Sequence, residues 1–291
     1  MKKSINTNEN QKQNMLNIYD KPFILAWWSA GITSAVACKI ALELYENVEL
    51  FYIEIDTAHK DNIRFKEDCE KWYGKKIYSL KSQFYNNQFD VIEYVKAVNT
   101  PNGAPCTLNL KKQVRFDFER LHEKSLFNEG YIKNQVWGYE FEQKEVNRAI
   151  RHQEQYPLTY PLFPLIEKGI DKNMCAGYLI NEGIQLPEMY KLGYTNNNCI
   201  GCVKGGKAYW NKIRKDFPDI FNRMLMLERI IGHSCLNGIF LDELNPKAGR
   251  LKDEIMPSCG NICEVEFADI PDRNLDDIMN KKISIYDIKN K

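Results

Sequence analysis

Short apolar runs of strand length alternate with longer stretches of helical spacing from residue 22 to about residue 165. Phe23-Ile24-Leu25-Ala26-Trp27 is the first such run, and Ile32 to Tyr45 follows it with good helix formers. Val48 to Ile55 is a second apolar run, and Asn62 to Tyr73 reads as an amphipathic helix closed by Gly74. Lys76 to Leu80 predicts a third strand, Phe89 to Val98 and Leu108 to Leu121 predict helices, and Asn134 to Tyr139, which contains Gly138, predicts a fourth strand. Regular β–α alternation predicts an α/β fold, a parallel sheet covered by helices on both faces. Ligands of such sheets bind beyond the carboxyl ends of the strands.

The pattern changes after residue 165. Asp171 to Glu182 predicts a helix with Asp171 as its N-cap. Leu186 to Gly206 is irregular, and Tyr209 to Gly232 is helical with a break near Pro218. The rest is loop-rich. The expected organisation is a polar, disordered tail over 1–20, an α/β nucleotide-binding domain over 21–165, and a helical, cysteine-rich extension over 166–291.

Composition narrows the function classes. The 291 residues carry 40 basic and 39 acidic side chains, for a net charge of +1. That balance argues against a surface built for nonspecific nucleic-acid binding, although a local patch would leave a nucleic-acid substrate open. No apolar run approaches the ~20 residues that a membrane span requires. Met1 to Asp20 lacks the apolar centre of a secretion signal, so the expected compartment is the cytoplasm. Nine cysteines, an odd number, then point to metal or redox chemistry rather than a disulfide framework.

Trp28 is followed by Ser29-Ala30-Gly31-Ile32-Thr33-Ser34, between a predicted strand and a predicted helix. Small residues let backbone amides approach a ligand, and a helix N-terminus favours an anion, so Ser29, Ala30, Gly31, Thr33 and Ser34 form a candidate phosphate loop. An ordinary βα turn has the same composition. There is no Gly-Lys-Ser/Thr, and the three spaced glycines of the dinucleotide fingerprint are missing. The segment resembles the PP-loop, Ser-Gly-Gly-x-Asp-Ser, with Ala30 at the second position and Thr33 in place of the acid.

Further segments extend the resemblance over residues 22 to 266. Asp56-Thr57 lies after the second strand, Cys106-Thr107-Leu108-Asn109-Leu110-Lys111 resembles a Cys-Thr-x-x-Leu-Lys segment, and Trp137-Gly138-Tyr139 precedes Glu142 and Arg148. Asn198-Cys199-Ile200-Gly201-Cys202-Val203-Lys204-Gly205-Gly206 belongs to the longest match. Together these resemble the PAPS-reductase-like family of the adenine-nucleotide α-hydrolase (PP-loop) superfamily. The resemblance implies a three-layer HUP-type sheet, an adenine nucleotide (PAPS, APS or ATP) as ligand, and reduction of its sulfate to sulfite with a thioredoxin-like reductant. It places Ser29, Ala30, Gly31, Thr33, Ser34, Asp56, Thr57, Lys111, Gly138, Arg148 and Lys204 at the nucleotide. Two other functions stay open: an ATP-dependent adenylating sulfurtransferase, and a non-catalytic nucleotide-binding protein with structural zinc. Oligomeric state is open too, a homodimer included.

Cys199 and Cys202 are separated by two residues, Cys259 and Cys263 by three. Two such pairs make a four-thiolate set suited to zinc or an iron–sulfur cluster. Cys106 is a further ligand, nucleophile or buried thiol. The family's catalytic cysteine stands in Glu-Cys-Gly-x-His; here Ser258-Cys259-Gly260 keeps only Cys-Gly, so Cys106 and Cys259 are both candidate catalytic thiols. Cys38, Cys69, Cys175 and Cys235 read as packing residues.

Overall fold

The computed structural model describes residues 22–101, 103–122, 131–250, 255–258, 260 and 262–273. The tail expected over 1–20 and Cys259 lie outside the described residues. Five strands form one sheet: β1 (Phe23–Trp27), β2 (Val48–Ile53), β3 (Ile77–Leu80), β4 (Ile132–Val136) and β5 (Pro161–Leu162). Their order is β3-β2-β1-β4-β5, and every pairing is parallel. Among the described residues no helix is long and apolar enough to cross a membrane.

Side-chain alternation puts a core on each face of the sheet. On one face Ala26, Leu50, Tyr52 and Val136 pack against α1 (Ile32–Leu44) and α2 (Asn62–Tyr73). The same core includes α7 (Lys172–Asn181), whose Cys175, Ala176 and Leu179 are fully buried. On the other face Leu25, Trp27 and Phe51 pack against Phe118 of α4 (Gln113–His122). The sheet is therefore flanked by helices, as the alternation predicts. Gly74 has φ of 63° and closes α2, and the Asp171 side chain accepts from the Met174 amide at 2.8 Å.

A separate core joins α3 (Gln88–Val95) to α9 (Lys207–Asp216) and α10 (Pro218–Ile231), through Phe89, Ile92, Trp210 and Met224. Pro218 starts a new helix at the predicted break because it offers no amide to continue the old one. A carboxylate, Glu228, lies fully buried in this core. It accepts from the amides of Cys235 at 2.5 Å and Leu241 at 2.9 Å and from the Cys235 thiol at 2.8 Å. The segment after α10 is thus pinned back onto it.

The strand order reverses beside β1. The chain winds from β1 through β2 to β3, then returns to place β4 on the other side of β1. That reversal opens a crevice beyond the carboxyl ends of β1 and β4. Gly138, just past β4, fixes how tightly it closes. A Cβ there would lie 2.6 Å from Ser34 Cα and 2.7 Å from Ser34 N. These are backbone atoms of the first turn of α1 and cannot rotate away. Gly138→Ala is expected to destabilise the fold by about 3 kcal/mol, the upper end of overpacking costs, read from urea denaturation. A loss below about 0.5 kcal/mol, the range of ordinary surface substitutions, would show that β4 and α1 do not approach this closely.

Candidate functional site

A cavity of about 380 Å³ occupies the crevice. Such a volume falls in the range of small-molecule binding pockets. Trp27, Trp28 and Ser29 from the end of β1, Tyr52, Ile53 and Ile55 from β2 and its loop, and Trp137 and Tyr139 after β4 contribute walls. The cysteine loop supplies Asn197, Cys199 and Lys204. Further walls come from Lys111 and Lys112 just before α4, from Arg115 of α4, and from Arg148, Arg151 and His152 of α5 (Gln143–Gln155). Six lining side chains are Lys or Arg, and none is Asp or Glu. A chain of net charge +1 has concentrated its positive charge here.

The loop after β1 is self-braced. The Ser34 hydroxyl accepts from the Ser29 amide and the Ser29 hydroxyl, both at 3.0 Å, and donates to Gly31 O at 2.9 Å. Ala30 takes φ of 60°, a left-handed conformation that favours glycine. Asn197 Nδ2 donates to Ala30 O and to Asn62 Oδ1, each at 2.7 Å. The Tyr190 hydroxyl accepts from the Ile32 amide at 3.4 Å. Of the five loop residues, Ser29 alone lines the cavity. Ala30 and Ser34 are buried, and Gly31 and Thr33 face other surroundings. Asp56 is exposed, paired with Lys81 at 2.5 Å, and Thr57 donates to Gln88; neither lines the cavity. Gly138 contributes through its missing side chain.

Lys111, Arg148, Lys204 and Cys199 do meet in the cavity. A π-helical turn, Leu108–Lys112, precedes α4 and carries Lys111 and Lys112. Insertions of that kind often mark functional sites. Arg148 lies 4.4 Å over the Tyr139 ring and pairs with Glu145 at 3.0 Å.

The Cys199 and Cys202 thiols are hydrogen-bonded to each other. Cys199 donates, which holds the Cys202 thiol below its usual range; the Lys204 amide and the charges of Lys111 and Lys204 act in the same direction, against burial. The hydrogen bond to Cys202, and then burial, push Cys199 up. Cys106 is close enough to interact with Cys202, Lys204 and Lys111, and burial raises its thiol. Thiols from two distant stretches of sequence therefore converge at the cavity's edge.

Tyr209 and Gln88 hold this loop in place. The Tyr209 hydroxyl accepts from the amides of Gly201 at 3.0 Å and Cys202 at 2.9 Å. Its ring lies so close to Gly205 that a Cβ there would meet Cδ1 at 1.9 Å. Gln88 Nε2 donates to Ile200 O at 2.8 Å, and the Ile200 amide donates to Thr57 O at 2.8 Å. Both cysteines are thus docked at the carboxyl end of β2. Arg115, His152, Tyr209, Gln88 and Asn197 were not singled out by motif reading. One signal was available: Lys111 and Arg115, and Arg148 and His152, stand at i,i+4 spacing and so share a helix face.

The four-thiolate set does not form among the described residues. Cys263 is in a disulfide and has no thiolate to give, and Cys259 lies outside the described residues. No three Cys, His, Asp or Glu side chains among the described residues are grouped to hold a metal ion. The other seven cysteines are free thiols. Cys38, Cys69, Cys175 and Cys235 are buried, as expected of packing residues.

No family model matches this sequence, and no solved structure matches it. Uncharacterized protein MJ0973 of Methanocaldococcus jannaschii is 21% identical over 238 residues, covering 77% of this chain and 53% of that protein. The chain spans about half the length of that relative.

Proposed function

We propose that the crevice binds an adenine nucleotide carrying phosphate or sulfate, and that the protein is a cytoplasmic sulfur-handling enzyme resembling PAPS or APS reductase. The sheet would then be of the adenine-nucleotide α-hydrolase type. One observation carries the reading: six cations, no carboxylate, aromatic walls and a thiol line a single cavity at the strand-order reversal. Aromatic faces suit a purine, and guanidinium and ammonium groups suit its anionic groups.

The thiols suit reduction. A thiolate attacks the sulfur of a nucleotide-bound sulfate and the S–O bond to the nucleotide breaks, leaving a cysteine S-sulfonate and the freed nucleotide phosphate. A second thiolate then attacks the cysteine sulfur. Sulfite leaves and a disulfide forms, so sulfur gains two electrons and two thiols lose them. Cys199, at the cavity, and Cys202, hydrogen-bonded to it, supply both thiols within one loop. A thioredoxin-like dithiol would restore the pair. Cys106 is a third thiol within reach of the same charges.

Two predictions test the reading. With PAPS or APS and a dithiol reductant under anaerobic conditions, the protein is expected to release sulfite, and Cys199→Ser or Cys202→Ser should lower the rate about 100-fold or more, as loss of a nucleophile does. Sulfite release that survives both substitutions but is lost in Cys259→Ser would move the chemistry to the C-terminal thiol. AMP and pyrophosphate from ATP without sulfite would make the protein an adenylating sulfurtransferase. Separately, Lys204→Gln and Lys111→Gln should each weaken nucleotide binding about tenfold by calorimetry, the value of one charge-assisted contact. Unchanged affinity in both would remove the anionic end of the ligand from this part of the cavity.

A further inference from the structure

The cysteine loop is braced from two directions. On the sheet side Gln88 Nε2 donates to Ile200 O, and the Ile200 amide donates to Thr57 O, each at 2.8 Å. Those contacts fix where the loop sits. From α9 a single oxygen reaches across the turn between the two sulfurs. The Tyr209 hydroxyl accepts from the Gly201 amide at 3.0 Å and the Cys202 amide at 2.9 Å, and donates to Cys199 O at 3.4 Å. A hydroxyl has one proton and two lone pairs, so its whole capacity goes to the four residues from Cys199 to Cys202. The ring is held too. It meets the Tyr194 ring edge-on with centroids 5.8 Å apart, and the Trp210 ring at 5.7 Å. Gly205 leaves it room, since a Cβ there would lie 1.9 Å from Cδ1. Tyr209 itself is not among the residues that line the cavity.

With this clasp in place Cys199 and Cys202 are free thiols, hydrogen-bonded to each other. A sulfur pair at hydrogen-bond separation must close to about 2.05 Å to become a disulfide. Closure draws the ends of the turn together and reorients the peptides between them. Those are the peptides that Tyr209 holds. Gly201 has little room to shift them: its φ is 77°, and a Cβ on it would lie 2.6 Å from Ile220 Cγ2. Pulling a partly buried amide off its acceptor is costly. The clasp therefore favours the dithiol over the disulfide.

We propose that Tyr209 is a positioning residue for the Cys199–Cys202 pair: its hydroxyl holds the turn in the dithiol form and keeps the disulfide easy to reopen. The inference rests on the reading that these two thiols carry the reaction. Each turnover then ends in a Cys199–Cys202 disulfide, which must be opened before the next. A dithiol reductant supplies two electrons and two protons, regenerates both cysteine thiols and leaves as its own disulfide. A disulfide closed against a restraint is reduced more readily than a relaxed one, which is the behaviour of catalytic rather than structural disulfides. Tyr209 acts through the turn and not on the ligand.

The test equilibrates the full chain with mixtures of reduced and oxidised glutathione, traps free thiols by alkylation and counts them at Cys199 and Cys202 by mass spectrometry. Tyr209→Phe deletes the hydroxyl and keeps the ring. It should move the equilibrium about tenfold toward the disulfide, the effect of removing the partner of a buried amide. Gly205→Ala pushes the ring aside with its hydroxyl intact, and should move the equilibrium the same way. Asn211→Ala is the control for a loosened α9: Asn211 Nδ2 donates to Asn245 O and Ala248 O, each at 2.9 Å, and not to the cysteine turn. It should lower the unfolding temperature and leave the equilibrium unchanged. An equilibrium unmoved in Tyr209→Phe, one moved toward the dithiol, or an equal shift in Asn211→Ala overturns the proposal. If Tyr209→Phe does not fold, Gly205→Ala decides alone, and an unmoved equilibrium there overturns it. The measurement needs no nucleotide. Absence of sulfite from PAPS and from APS in the wild type would defeat the reading of the reaction, while the glutathione equilibrium would still decide whether Tyr209 sets the state of the pair.

Discussion

Six cations held around one cavity repel one another, and no lining carboxylate offsets them. That repulsion is the physical constraint on which the site depends. It is tolerated because the cations are spread over separate supports, the π-helical turn with the start of α4, the helix α5, and the cysteine loop, each fixed by contacts outside the cavity. Glu119 and Glu145 pair with Arg115 and Arg148 from behind. An anion in the cavity would relieve what remains, so a folded protein of this design gains stability from its ligand.

The fold makes that arrangement reachable. The reversal of strand order beside β1 leaves the ends of β1 and β4 diverging, and residues that follow each strand meet there. Asn197 bridges the loop after β1 to α2 through Ala30 and Asn62, and the Ile200 amide bonds to Thr57 beyond β2. The cysteine loop, more than 140 residues after β2, is in this way built into the carboxyl-end face of the sheet. Cys199 and the six cations can then line one cavity.

Much of the framework was legible in the pattern of apolar positions. Phe23–Trp27 and Asn62–Tyr73 have the bounds that periodicity and Gly74 predict, and α9 and α10 divide at Pro218. β5 was not legible, because Pro161–Leu162 is two residues long and is defined only by its pairing with Gln135 and Val136. The site was legible in part. Ser29, Lys111, Arg148, Cys199 and Lys204 line the cavity, whereas Ser34 turns inward and Asp56 turns outward. Local motifs do not report such orientations. Spacing alone also made Cys259 and Cys263 the natural partners of Cys199 and Cys202, but Cys263 is in a disulfide and it is Cys106 that comes into electrostatic reach of Cys202. Arg115 and His152 carry no motif at all. Their place in the cavity wall follows from burial and packing, which are tertiary facts.

Calorimetric titration of the full chain with ADP and with PAPS at about 50 mM and 200 mM salt tests the central claim most directly. A cavity whose affinity comes from six lining cations and no lining carboxylate should bind at low salt and lose affinity about tenfold or more at the higher concentration, because screening weakens each charge contact. Absence of binding at low salt, or an affinity indifferent to salt, would contradict the account.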